Sequence, residues 1–293
     1  MKMLLLLLLQ TLRIAVPYLF AASGGVLAER AGIVSLTLEG FMLTGAFCAT
    51  LGSFYFESPW IGLLLGVAGG AVFGAIHALA TIRFKADQIV SAVAINLMVV
   101  GMTRFFLRLA FDSSSNSPRV AGFGGEGNTS VLATFANPLV WLAIVVMPVL
   151  AWVINRTRFG LRVRAVGEKP EAATTLGISV DRIRYGAVIT SGALAALGGC
   201  YLALDQHQFT DQMTAGRGFI ALAAVIFGRW TPVRAGIACL LFAFAEALQI
   251  QVQGTGVLPS QFVSMIPYVL TLVALAGVVG RAVPPAALGR AEG

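Results

Sequence analysis

Gly-Lys-Ser and Gly-Lys-Thr occur nowhere in this chain. Its lysines are Lys2, Lys85 and Lys169, followed by Met3, Ala86 and Pro170. The loop that cradles nucleotide phosphates in ATP-hydrolysing proteins is therefore missing, and any ATP-driven step needs a separate polypeptide. Cysteine is scarce too: Cys48, Cys200 and Cys239 stand singly inside apolar runs with no C-x-x-C, which fits small packing residues rather than a redox pair. Asp205, His207 and Asp211 cluster, but at a spacing that matches no specific zinc site, so a solvated loop is expected and no metal. No Ser/His/Asp set or clustered nucleophile, acid and metal residues mark an enzyme, and no cofactor is implied. Charged residues make up only 11% of the chain, against about 25% in an ordinary soluble domain.

What the chain does have is apolar surface. It is 58% hydrophobic, with a mean hydropathy of +0.86. A soluble core of 293 residues has no use for so much, which points to a polytopic membrane protein. The pI of about 9.8 does not signal nucleic acid, because the basic residues sit at the ends of apolar runs. The opening MKMLLLLLL imitates a signal peptide, yet Arg13 interrupts it and Ala21-Ala22-Ser23 is a poor cleavage site; an uncleaved first span is expected. With about 20 residues needed per crossing, candidate spans fall at 3–23, 33–54, 60–80, 88–108, 137–154, 184–204, 218–228, 234–252 and 262–280. The run at 218–228 is half a span, either a half-helix or a re-entrant piece that must be buried in protein. The expected fold is an all-α membrane helix bundle of about eight or nine segments, one of them a half-helix, with residues 1–293 forming one transmembrane domain.

The polar island 155–184 holds seven of the twenty basic residues: Arg156, Arg158, Arg162, Arg164, Lys169, Arg182 and Arg184. Basic loops stay cytoplasmic. Placing this one inside brings Arg30, Arg83, Lys85, Arg229, Arg234, Arg281 and Arg290 to the same side, with Lys2, Arg104, Arg108, Arg119 and Arg217 opposite. The C-terminus is then cytoplasmic. Trp60, Trp141 and Trp152 fall near span ends, as an aromatic belt would place them. The external stretch 112–136 is rich in Ser, Gly and Asn; it is either a solvated connector or a landing surface for an external partner.

Several residues depart from plain membrane packing. Gly62, Gly66, Gly70 and Gly74 repeat every four residues and predict a helix face for close approach. Gly24 and Gly25 are expected to loosen the end of the first span, before the adjacent opposite pair Glu29–Arg30. Ser35, Thr37 and Glu39 interrupt the next apolar pattern. A carboxylate in a span needs a partner or water: Glu39 either receives backbone and hydroxyl hydrogen bonds at a helix break or lines a permeation path. Asn96, one turn or so after Ser91, and Glu246, which shares a face with Gln249 and Gln253, line a helix interface or a watery route. His77 is expected to be a packed, hydrogen-bonded histidine. Within the island, Pro170 suits a first helical position, Glu168 and Glu171 complement the dipole at its start, and Gly177 suits the left-handed residue that ends it. A helix this short needs a partner surface or the rest of the loop to hold it.

Four stretches carry a family resemblance. They are 23–45 with ERAGIVSLTLEG at its heart, ADQIVSAVAINLM (86–98), GLRVRAVGEKPEAATTLGI (160–178) and ALAAVIFGRWTPVRA (221–235). In this order they resemble permease subunits of bacterial ABC importers of the branched-chain amino acid/ribose/nucleoside group, with the nucleoside and simple-sugar branch most similar. Ser35 and Thr37 stand where that branch usually has Asn and Gly, and Lys169 stands where an Asn is common, a weaker start for the helix it precedes. The resemblance implies a multi-pass permease of the cell inner membrane, paired with a second permease subunit, identical or related. ATP-binding subunits would dock on the coupling region Gly167, Glu168, Pro170, Glu171, Ala172, Ala173, Leu176 and Gly177. An external solute-binding protein would deliver a nucleoside to a path including Ser35, Thr37, Glu39, Asn96 and Glu246. Simple sugars and branched-chain amino acids are the alternatives; a self-contained ion-coupled carrier would need more membrane acids and broken inverted repeats.

Overall fold

A computed structural model describes residues 2–123, 131–253, 265 and 283–290. The described residues are helical apart from turns and one isolated antiparallel bridge, Asn116 to Thr210. The helices are α1 (Lys2–Arg30), α2 (Leu38–Phe56), α3 (Pro59–Ala78, continued by a π turn over Leu79–Arg83), α4 (Gln88–Phe111), α5 (Val131–Ala136), α6 (Pro138–Arg156), α7 (Arg158–Glu168), α8 (Pro170–Thr175), α9 (Val180–Asp205), α10 (Arg217–Phe227) and α11 (Pro232–Gln253). Local chemistry sets several starts. The Asp87 carboxylate accepts from the Ile89 and Val90 N–H groups at 2.9 Å each, opening α4. Asn137 does the same for Leu139 at 3.0 Å, ahead of Pro138, and Thr157 accepts from Gly160 at 3.1 Å. Each satisfies an N–H that a helix start leaves without an internal partner.

Six described helices are long and apolar enough to cross a bilayer: α1 from Leu4, α3 with its π turn, α4, α6, α9 and α11. At 19 residues α2 has the length of a span, but Glu39 and its glycines dilute its apolar character and it is not among the six. The expected segment at 262–280 lies outside the described residues. The 11-residue α10 is the expected half-span. One expectation fails outright. Gly24 and Gly25 do not end the first helix; α1 runs through both to Arg30 and is about 43 Å long at 1.5 Å per residue. These glycines serve approach instead: a Cβ on Gly24 would lie 3.1 Å from the Ser191 hydroxyl oxygen, and one on Gly25 3.1 Å from Leu38 and Val225.

The rigid centre is α2, α3 and α9. Gly62, Gly66, Gly70 and Gly74 are all buried. The row lays α3 against α2 at Gly62 (Ala49, Ser53) and Gly66 (Gly45), and against α9 at Gly66 (Cys200), Gly70 (Gly192, Ala196) and Gly74 (Val188, Ile189). Around this seam α1 packs on α9 and α11, and buried Tyr18, Phe20, Phe41, Met42 and Phe209 fill the core. His77 is buried, edge-on to Phe41, with its Nδ1 3.1 Å from the Ser91 hydroxyl.

The island 155–184 and the tail 283–290 share one end of the bundle with Arg30, Gln88 and Trp230, as their mutual hydrogen bonds require. At the other end, the described part of 112–136 is pinned down rather than loose. Ser117 and Val120 N–H donate to the Phe209 and His207 carbonyls at 2.9 Å, and Asp211 N–H to Ser115 at 2.8 Å.

Candidate functional site

Between α1 and α2, at the island end of the bundle, the chain leaves helical geometry over residues 31–37, most of them buried in protein. Buried irregular backbone survives only where protein satisfies its polar groups, and here side chains from several other helices do so. From α4, the Gln88 side-chain oxygen accepts from Val34 N–H at 2.7 Å. Asn96, also on α4, donates to the Leu36 carbonyl at 3.0 Å and accepts from Gly40 N–H at 2.9 Å, so one side chain spans the gap. Arg184 of α9 donates to the Ala31 carbonyl at 3.2 Å. The Glu29 carboxylate, 2% exposed, accepts from Ser35 N–H at 3.2 Å, from the Ser35 hydroxyl at 2.8 Å and from the Trp230 indole. Glu29 and Arg30 thus do not close on each other: Arg30 donates to the Trp230 carbonyl at 2.7 Å. Ser35 and Thr37 are buried in the break itself.

Glu39, at the first turn of α2, reaches the opposite element. Its carboxylate accepts from the Thr214 hydroxyl at 2.6 Å, Gly216 N–H at 2.8 Å and Gly218 N–H at 2.7 Å. Those groups are the start of α10. A carboxylate set on a helix N-terminus meets N–H donors and the positive end of the dipole together. The approach needs Gly218, since any Cβ there would collide with the Glu39 backbone, and Gly216 holds φ of +83° where a side chain would strain. Glu39 therefore receives hydroxyl and backbone hydrogen bonds from the start of a helix some 175 residues away.

Beside it, Arg217 lies 3.4 Å from Glu246 of α11, and Tyr18 of α1 donates to the same carboxylate. Charge counting placed Arg217 on the outer surface. Yet α10 is only 11 residues long, about 16 Å, and Trp230 just beyond it bonds Arg30 at the island end, so Arg217, at the other end of α10, belongs to the interior cluster. Thr214, Arg217 and Tyr18 in this cluster, and Gln88 and Trp230 at the break, were not singled out from sequence. A lone arginine between glycines ahead of a half-span was the one available signal. Asp205, His207 and Asp211 diverge: Asp205 pairs with Arg13 at 2.8 Å, Asp211 with Arg104 at 2.7 Å, and His207 faces the Val120 carbonyl at 3.2 Å.

At the island end, α8 closes in a Schellman turn. Gly177 has φ of +75°, its N–H donates to the Thr174 carbonyl at 2.9 Å, and Ile178 N–H donates to Ala173 at 3.0 Å. Lys169, as the residue before α8, makes no side-chain cap. Ala173 turns inward onto Val166, Ile178 and Val180. Glu171, Ala172, Thr174, Thr175 and Leu176 turn outward, with Leu176 79% exposed. Gly167 is buried where α7 meets α1; a Cβ there would strike the Arg30 carbonyl. A protruding turn and the break at 31–37 are thus joined through one close contact.

Residues 7–275 match the family model described as branched-chain amino acid transport system / permease component. The guanosine ABC transporter permease protein NupQ of Bacillus subtilis (strain 168) is 40% identical, over 95% of this chain and 93% of that protein. The nucleoside ABC transporter permease protein NupC of Lactococcus lactis subsp. cremoris (strain MG1363) is also 40% identical, over 93% and 92%. Among solved structures, an ABC transporter chain in an inward-facing conformation, assigned to the metal-chelate type, superposes with a TM-score of 0.54. It is 16% identical and covers 94% of this chain and 86% of that one, a likeness of fold. The chain belongs to the branched-chain amino acid transport system permease family.

Proposed function

We propose that this chain is the transmembrane permease subunit of an ATP-driven importer that moves nucleosides from an external solute-binding protein to the cytoplasm. ATP is hydrolysed by a separate subunit docked on α8. The observation that carries the mechanism is the start of α10. A helix that begins inside the bundle, after left-handed residues at Gln212, Ala215 and Gly216, cannot face lipid with that backbone uncovered. Ala215, Phe219 and Ile226 are nevertheless exposed on this element. A second permease subunit covers this face, and the substrate path runs between the two chains, past the cluster of Glu39, Arg217 and Glu246, with Ser35, Thr37 and Asn96 behind it holding the break. The nucleoside assignment rests on two relatives, each 40% identical along nearly the whole chain, that carry that substrate class in their names. The basic end, which holds the island and the tail, faces the cytoplasm by the positive-inside rule.

The carboxylates argue against an ion-coupled carrier. Glu39 already receives three donors, and Glu246 is engaged by Arg217 and Tyr18, so each carboxylate already has partners within the protein. Coupling instead starts at α8: closure of the ATP-binding subunits displaces the outward face carrying Glu171 and Leu176, and Gly167 passes that displacement to the end of α1 and the 31–37 break.

The test is uptake of labelled nucleoside, with labelled simple sugars and branched-chain amino acids as competitors, into proteoliposomes of the full complex with and without internal ATP. Uptake that needs ATP, and that only nucleosides compete away, is the expected result. Uptake by this chain alone under an ion gradient refutes the reading. Reversing charge with Glu171→Arg is expected to weaken retention of the ATP-binding subunit by roughly tenfold, the scale of a lost interfacial charge contact at about 1.4 kcal/mol. Undiminished co-purification and ATPase stimulation would contradict the docking assignment.

A further inference from the structure

The tail 283–290 was absorbed by none of the motifs above, yet it is seated firmly at the island end. Ala287 N–H donates to the Gly167 carbonyl at 2.9 Å and Gly289 N–H to the Gly32 carbonyl at 3.3 Å. Ala286 N–H lies 3.4 Å from the Glu168 carboxylate. Ala287 is buried, and Gly32, at φ of +92°, leaves room for it: a Cβ there would stand 3.3 Å from the Ala287 carbonyl and equally close to Arg184. The tail therefore touches the end of α7, next to α8, and the first residues of the 31–37 break at once.

Its outer side is open. Together the tail and α8 form the two walls of a cleft of about 700 Å³, with Glu168, Pro170, Glu171 and Thr174 on one wall and Ala286 and Arg290 on the other. Val283, at the start of the tail, is 78% exposed, almost the same as Leu176 at the end of α8. Two exposed aliphatic side chains at one end of the molecule, beside a cleft that carries Glu168, Lys169 and Glu171 on one wall and Arg290 on the other, ask for a protein partner. That partner must offer apolar cover, a cation toward Glu171 and an anion toward Arg290.

We infer that the ATP-binding subunit docks into this cleft and grips the tail as well as α8, so that its docking site is composite. The inference rests on the proposed function, since it takes α8 to be where that subunit lands. The tail then supplies a second line of force. A displacement of the tail reaches Gly167, at the end of α7, through the Ala287 hydrogen bond and Gly32 through that of Gly289, and the second contact arrives at the break directly.

Photocrosslinking on the full transporter complex tests this. Ala286→Cys, Leu176→Cys and, at the opposite end of the bundle, Glu57→Cys are labelled with a benzophenone maleimide, with the unsubstituted chain as the blank for Cys48. The expected result is an adduct with the ATP-binding subunit from both position 286 and position 176, each at least tenfold above position 57. An adduct from 176 without one from 286 overturns the composite site while leaving the α8 assignment intact. Adducts from neither position overturn both. Ala286→Trp, which fills the cleft from an exposed position, should cut ATP-dependent uptake at least fivefold with the permease still extracted as a complex of unchanged size; unaltered uptake contradicts the role of the tail.

Discussion

Where α3 crosses α2 and α9, backbone lies on backbone. Gly66 faces the Gly45 carbonyl, Gly70 the Gly192 carbonyl and Gly74 the Val188 carbonyl, with the small Cys200 and Ala196 side chains beside them. Where α1 gives way to α2, and where α10 begins, backbone is instead held by side chains: Gln88, Asn96, Glu29, Arg184 and Glu39. The two regions adjoin, since α2 belongs to both. Their difference separates scaffold from moving part. Close helix contacts depend on many short-range attractions that vanish together with a small gap, so the glycine seam has one arrangement. A break stitched by polar side chains has alternatives, because each carbonyl or N–H can exchange one partner for another or for water at modest net cost. A permease that must present its path to two sides needs both kinds of region.

The strongest way to break this comparison is to put bulk into the seam. Gly70→Leu would drive a side chain into Gly192 and Ala196, and overpacking of this kind costs about 1–3 kcal/mol or more. We expect loss of folded protein, read as yield and thermal transition in detergent. Gly101→Leu, where a Cβ meets nothing within 4 Å, should leave both unchanged. The next largest effect is expected at Glu39. Glu39→Ala strips the start of α10 of its acceptor and leaves buried donors unmatched, at roughly 1.5–3 kcal/mol for hydrogen bonds to a charged group. Transport should fall more than tenfold with the thermal transition lowered, and Glu39→Gln, which keeps an oxygen acceptor, should recover part of both. If Ala and Gln behave alike, the cap is not what Glu39 provides. Asn96→Leu removes both bonds across the break, about 1–2 kcal/mol in total. It should reduce ATP-coupled uptake more than it reduces stability, and the reverse ranking would move the break into the scaffold. The smallest effect belongs to Gly177→Ala, which forces a side chain into the left-handed conformation that closes α8, at about 1 kcal/mol. It should loosen attachment of the ATP-binding subunit several-fold without a change in the thermal transition.

The seam and α8 could be read from sequence because their determinants are local. A four-residue glycine period is a property of one helix, and Pro170 and Gly177 bracket a turn within eight positions. The half-length of α10 was likewise visible as a short apolar run. The break was not, because its partners come from distant stretches: Gln88, Asn96 and Arg184 must meet residues 31–40 in space before their roles exist. Counting charges misplaced Arg217 since the count records which loop a residue follows and nothing of depth. Gly24 and Gly25 misled for a related reason. Glycine weakens an isolated helix, but between packed helices its missing side chain is what allows contact, and only the neighbours decide which effect wins.

The brevity of α10 also bears on how the protein is made. Eleven residues are about half of what membrane-insertion machinery recognises as a crossing, so nothing in this stretch halts translocation by itself. It has to be drawn inward after synthesis, once α2 has presented Glu39 and α11 has arrived with Glu246 to receive Arg217. A nascent chain interrupted before α11 would leave the Arg217 guanidinium without its carboxylate, an unfinished product that quality-control proteases would distinguish from the mature one.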